Sequence, residues 1–201
     1  DKKDIVLEED LAKCYHLKKD YINALKYYEA VLLVKKDDYD LRYNKALVLH
    51  AMKNYNDAVS IYTQLLTEKD NKDIQTNLTS ALVSLGDEYL QAHNYSLATE
   101  TFTRAIERGT KDSYAYYGLA KSYRACGIDE KATEYYEKAI SMEPEKIEYS
   151  NEFAEFISAT QKNTNTKTDA QPAEIKEVKL SMDSAEKVEA DVAQNNKDLI
   201  A

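Results

Sequence analysis

Few side chains in this sequence stand at spacings that could do chemistry. His16 and His50 occupy equivalent places in two successive helical hairpins, and two imidazoles on one face could hold a metal ion. Packed neighbouring helices stand about 10 Å apart, however. Neither histidine has an i, i+4 partner of the His–Glu kind, so no metal site is expected. The Glu8, Glu9 and Asp10 run fits solvated helix-start charges better than an acid/base pair. Cys14 and Cys126 lie in the first and last hairpins, too far apart for a disulfide, and both are expected to be small inward-facing residues. There is no Gly-rich phosphate loop, no Cys-x-x-Cys and no nucleophile elbow. No cofactor and no catalytic site are expected. The densest group is Tyr114, Tyr117, Lys121 and Arg124. The tyrosines are one helical turn apart and the two cations continue the same face. Two aromatics beside two cations can hold an apolar side chain next to a carboxylate.

Position along the chain depends on helices at regular intervals. The stretch Leu85–Ala105 places Leu85, Gly86 and Tyr89, then Ala98, Phe102 and Ala105, at helical spacings around a polar break at His93 and Asn94. That pattern is a helix, a tight turn and a second helix. It recurs: Ala24, Ala58, Ala98 and Ala132 are 34, 40 and 34 residues apart, and Tyr28, Tyr62, Phe102 and Tyr136 keep the same intervals. The small residue lets the two helices of a hairpin approach, and the aromatic one turn later fills the space before the next hairpin. Ala12, Ala46, Gly86 and Ala120 serve the same approach from the first helix. Within the 40-residue interval, Ile74, Leu78, Ala81, Leu82, Leu85 and Tyr89 keep a helical rhythm, which predicts a first helix longer by about six residues, or ~9 Å. A longer loop before a normal helix is the alternative.

Composition agrees with an all-α chain. The sequence has 201 residues with 4 Gly and 2 Pro, too few for the turns of an all-β domain. Its 17 tyrosines against 3 Phe and no Trp fall largely at the recurring places. A net charge of -9 disfavours nucleic acid and anionic membrane as general partners. No apolar run approaches the roughly 20 residues of a membrane span. No signal peptide is visible. A start without Met suggests a piece of something longer, so the cytoplasm is favoured with export left open.

The L-G-x2-Y and A-x3-F spacings resemble the tetratricopeptide repeat family over residues 5–146. The family's Trp position holds Glu8, Arg42, Leu82 and Tyr116, and its terminal Pro appears only as Pro144. The resemblance implies a right-handed α-solenoid over residues 1–162. Its repeats are expected at 5–38, 39–72, 73–112 and 113–146, with a capping helix at 147–161 whose Glu148, Glu152 and Glu155 face outward. It also implies which first-helix positions face the concave groove. Among these are Lys13 and His16, then Tyr43, Leu47 and His50, then Asp87, then Tyr114, Tyr117, Lys121 and Arg124. The last four are either the anchors for a ligand or solvated residues and partners of Asp87. Members that clamp the C-terminal carboxylate of heat-shock chaperones use Lys and Asn on the first helix, Asn on the second, and Lys and Arg on the third. Only Asn44 matches that set, so this role is disfavoured.

The expected function is a scaffold that binds a protein or peptide ligand, carrying an acidic group, in the concave groove. The alternative is a self-assembly module acting through repeat edges or a tail helix. After a polar linker from residue 163, the segment 172–195 has a thin apolar stripe of Ile175, Val178, Met182, Ala185, Val188 and Val192. It is expected to be disordered or marginally helical alone, or to dock in a groove of its own chain or of a neighbour.

Overall fold

The structure, a computed structural model, describes residues 2–166, with side chains from Asp4 to Gln161. The chain divides into two compact units, Asp1–Phe156 and Ile157–Ala201. The amphipathic segment 172–195 lies outside the described residues. Among the described residues are nine helices and no strand. They are α1 (Lys2–Leu17), α2 (Tyr21–Leu32), α3 (Tyr39–Ala51), α4 (Tyr55–Glu68), α5 (Lys72–Gln91), α6 (Tyr95–Glu107), α7 (Ser113–Ala125), α8 (Asp129–Met142) and α9 (Ile147–Thr166). The first eight pair as four hairpins that stack in chain order, the α-solenoid expected from the sequence.

One local device makes each hairpin turn. The first helix ends in a left-handed residue: Lys19 (φ 60°), Lys53 (φ 64°), His93 (φ 60°) or Gly127 (φ 72°). The next amide then bonds back five residues, as in Asp20 N–H to the Tyr15 carbonyl at 2.9 Å and Asn94 N–H to the Tyr89 carbonyl at 2.8 Å. This closes the orphan carbonyls of the helix end. That same residue opens the next helix as its N-cap. The Asp20 carboxylate accepts from Asn23 N–H at 3.3 Å, and the Asn54 side chain accepts from Asp57 N–H at 3.5 Å. A left-handed stop followed directly by a cap forces the chain to reverse within three residues.

The insertion before the third hairpin is helical. α5 has 20 residues against 13 in α3 and in α7. Ile74 and Leu78 on the added turns are fully buried, so packing extends the helix rather than leaving a loop. Asn77 fastens the added turns to the second hairpin by donating to the Tyr43 hydroxyl at 2.9 Å.

The recurring alanines Ala24, Ala58, Ala98 and Ala132 are buried, and so are Tyr28, Tyr62, Phe102 and Tyr136. Phe102 shows what the aromatic does. A Cβ at Gly86 of its own hairpin would come within 2.8 Å of the ring, and one at Gly118 of the next hairpin within 2.4 Å. The ring is therefore wedged between α5 and α7 in contact with bare backbone on both sides. In α9, Tyr149 and Phe156 are buried and the Phe153 ring stacks on Tyr136 at 5.5 Å, so this helix covers the fourth hairpin as a cap.

Both cysteines are exposed, which corrects the expectation that they face inward. Ala12 already holds the inward position of α1, and Cys14 lies about 200° further round the helix. Cys126 falls at the C-cap of α7, past its last buried turn.

Gly118→Ala places a methyl group inside the Phe102 ring. It is expected to destabilise the protein by about 1–3 kcal/mol, measured as a lower urea midpoint with an unchanged far-UV circular dichroism spectrum. An unchanged midpoint would show that the wedge has slack.

Candidate functional site

The groove-facing side chains form two different environments. In the first two hairpins they pack mainly on their own hairpin, the Tyr43 hydroxyl also accepting a hydrogen bond from Asn77 of α5. Lys13 pairs with Glu9 at 2.6 Å, and Glu9 also holds Lys35 at 2.6 Å. These hydrogen bonds hold the Glu9 carboxyl below the usual carboxylate range. His16 is half-buried, its Nδ1 3.4 Å from the Tyr28 hydroxyl and its ring edge-on to Tyr28. His50 repeats the arrangement, edge-on to Tyr55 at 5.6 Å and to Tyr62 at 6.4 Å. Burial lowers both imidazole pKa values. Tyr43 lies 6.2 Å from Tyr62, and Leu47 is partly buried on the same helix. Among the described residues no group of three or more His, Cys, Asp or Glu side chains could hold a metal ion.

The second environment is an open cleft of about 570 Å³ between the ends of α5 and α7, reaching α9. Asp87, Tyr114, Lys121 and Arg124 all line it, so the structure brings together four of the sequence-derived groove residues. Lys13, His16, Tyr43, Leu47 and His50 lie outside it. Tyr117, expected beside Tyr114 on the open face, is instead only 1% exposed. Its ring stacks on Tyr149 of α9 at 4.2 Å and 22°, because the capping helix takes the face that a further hairpin would cover.

Glu152 of α9 was expected to face outward and does not. Tyr117 and Tyr136 donate to it, the latter at 3.3 Å, while Arg124 stands 3.3 Å and Lys121 3.4 Å away. Register carried the missed signal. Glu152 stands one repeat length after Gly118 and therefore turns toward α7. Lys121 also lies over the Tyr117 ring at 5.0 Å, and Arg124 over Phe156 at 5.7 Å. At the other wall the Tyr114 hydroxyl donates to Asp87, and Gln91 donates to the same carboxylate at 2.6 Å. Burial, then the hydrogen bond to the neighbouring carboxylate, raises the pKa of both Tyr114 and Tyr117. Both phenols therefore stay protonated donors at neutral pH. Burial likewise pushes Tyr136 up to about 12. His93 and Tyr95 close the cleft at the turn, with His93 Nδ1 2.8 Å from the Tyr95 hydroxyl. Spacing had marked His93 only as a turn residue.

Comparison with known proteins gives one consistent answer. A family model described as Tetratricopeptide repeat matches residues 12–73 and 83–146. The TPR repeat-containing protein MJ1428 of Methanocaldococcus jannaschii is 26% identical over 129 residues, covering 64% of this chain and 22% of that protein. Superkiller protein 3 of Saccharomyces cerevisiae is 27% identical over 145 residues, covering 72% of this chain and 10% of that protein. The chain thus spans a quarter or less of these relatives. Among solved structures, a MamA RS-1 double mutant superposes with a TM-score of 0.54 at 21% identity, covering 90% of this chain and 97% of that one. MamA from Desulfovibrio magneticus RS-1 (residue 41 to its end) gives 0.50 at 19% identity, covering 83% and 97%. At these identities the likeness shows the fold.

The half-buried histidines His16 and His50 make stability pH-dependent with a definite sign. Their folded pKa values lie below 6.5, so the unfolded chain binds more protons as pH falls through that value. Stability is fully present above about pH 7 and decreases below 6.5. The melting temperature is expected to be lower at pH 5.5 than at pH 7.5, and replacing His16 and His50 by Gln should flatten this slope. A slope unchanged by the replacements would contradict the assignment.

Proposed function

Because the chain belongs to the tetratricopeptide repeat family, whose fold is a non-catalytic scaffold for protein interactions, we propose that it binds a peptide segment or partner helix along the cleft between α5 and α7. An acidic group of that partner sits between Lys121 and Arg124. One observation carries the reading. These two cations, each about one third exposed, share the single carboxylate of Glu152 at 3.3–3.4 Å, whereas Lys13 and Glu9 close to 2.6 Å. A loosely shared carboxylate leaves cationic donor capacity facing an open cleft. Glu152 is in effect a weak internal stand-in for the partner's acid. Binding rests on shape and these polar anchors, with no bond made or broken.

Self-assembly is a second reading, favoured by one feature. Val6, Leu7, Leu17, Ile22, Leu33 and Val34 of the first hairpin all carry large exposed apolar surface. Its readout is a solution mass that rises with concentration.

The direct test compares capture of native partners by the full chain and by Lys121→Gln/Arg124→Gln. Neutral side chains are used because charge reversal would set Glu152 against two carboxylates. Capture is expected to fall about tenfold or more with the helical spectrum unchanged, while Glu152→Gln raises it. Equal capture by the double variant would overturn the assignment.

A further inference from the structure

The other wall of the cleft carries a charge that the proposed acidic ligand does not use. The Asp87 carboxylate accepts from the Tyr114 hydroxyl and from Gln91 Nε2 at 2.6 Å, and both donors are neutral. Among the described residues no Lys, Arg or His forms an ion pair with it. Its negative charge therefore has no direct ion-pair partner among the described residues, and its oxygens keep acceptor capacity. Tyr114, which donates to it, and Tyr95, at the turn, line the same cleft. Carboxylate and aromatic walls together suit an ammonium or guanidinium group. They do not suit a metal ion, which needs further carboxylates or imidazoles than this wall holds.

The two walls have opposite signs. Asp87 leaves one negative charge on the α5 wall, and Lys121 and Arg124 less Glu152 leave one positive charge on the α7 wall. The separation follows from register. Asp87 stands one repeat length before Lys121, so the two lie at equivalent levels on neighbouring helices, whose axes stand about 10 Å apart. An extended chain advances about 3.3 Å per residue, so groups two to four positions apart span that distance once side-chain reach is included.

We propose that Asp87, with Tyr95 and Tyr114, forms a second subsite that takes a cationic side chain, so that the cleft selects a segment carrying a basic residue two to four positions from an acidic one. This inference rests on the peptide-binding reading above and adds the partner's second charge and its spacing. It also accounts for how a chain of net charge -9 can discriminate among acidic partners, since an acid without the neighbouring base meets Asp87 unfavourably.

The test is an array of immobilised octapeptides on an Ala/Ser background, probed with the labelled full chain. Each peptide carries one Glu alone, one Lys alone, or one Glu and one Lys or Arg at every separation and in both orders. The expected result is that pairs two to four positions apart bind about three- to tenfold better than Glu alone. In the near-isosteric Asp87→Asn that advantage is expected to vanish while the preference for Glu remains. In Lys121→Gln/Arg124→Gln the preference for Glu is expected to vanish. Circular dichroism confirms that each variant is folded. Equal binding of Glu peptides with and without the base overturns the second subsite and leaves the acidic one standing. Binding that ignores Glu, or no binding, overturns both.

Discussion

The stack depends on an aromatic ring placed where two helices offer only backbone. Phe102 sits against Gly86 and Gly118 so closely that neither position has room for a methyl group. Tyr28, Tyr62 and Tyr136 hold the corresponding place in the other hairpins, all fully buried. Phe102 fills the gap between its own hairpin and the next, Tyr136 meets the rings of α9, and removing such a ring leaves a cavity that typically costs about 3–5 kcal/mol. The interaction is repeated and short-range, so each hairpin is positioned by its neighbours alone. Alternating alanine and aromatic positions on α2, α4, α6 and α8 are the sequence form of this constraint.

The cleft is a by-product of that packing. Phe102 sets the distance between α5 and α7, and the distance lets Tyr114 reach Asp87 across the gap. At the last hairpin no further ring follows, and α9 completes the wall by stacking Tyr149 on Tyr117 and Phe153 on Tyr136. The same docking brings Glu152 to Tyr117, Tyr136, Lys121 and Arg124. Buried phenols with raised pKa values act as fixed donors, so the carboxylates are held by groups that do not titrate near neutral pH.

Most of the fold was legible because it rests on spacing. The alanine and aromatic intervals gave four hairpins, and unbroken helical rhythm from Ile74 to Tyr89 marked the longer α5. The cation pair Lys121 and Arg124 was legible for the same reason, as neighbours on one helix face. What escaped depends on contacts between elements or on a residue's exact angle on its helix. Gly118 sits two residues before the family's small position and looks unremarkable until Phe102 is seen against it. Glu152 looked like one of three solvent-facing glutamates on α9. Tyr117 looked open because nothing in its own helix says that Tyr149 will lie on it. Cys14 failed through angle alone, since a conspicuous small residue two places from the true inward position faces water.

Hydrogen exchange of the full chain and of Phe102→Ala most directly tests whether these rings couple successive hairpins. If they do, protection falls together in α5, α6, α7 and α8 of the variant, while α1 and α2 keep the protection of the parent. Loss confined to α6 would contradict the account, because it would mean that α7, and with it the cleft, is positioned by something other than the ring between Gly86 and Gly118.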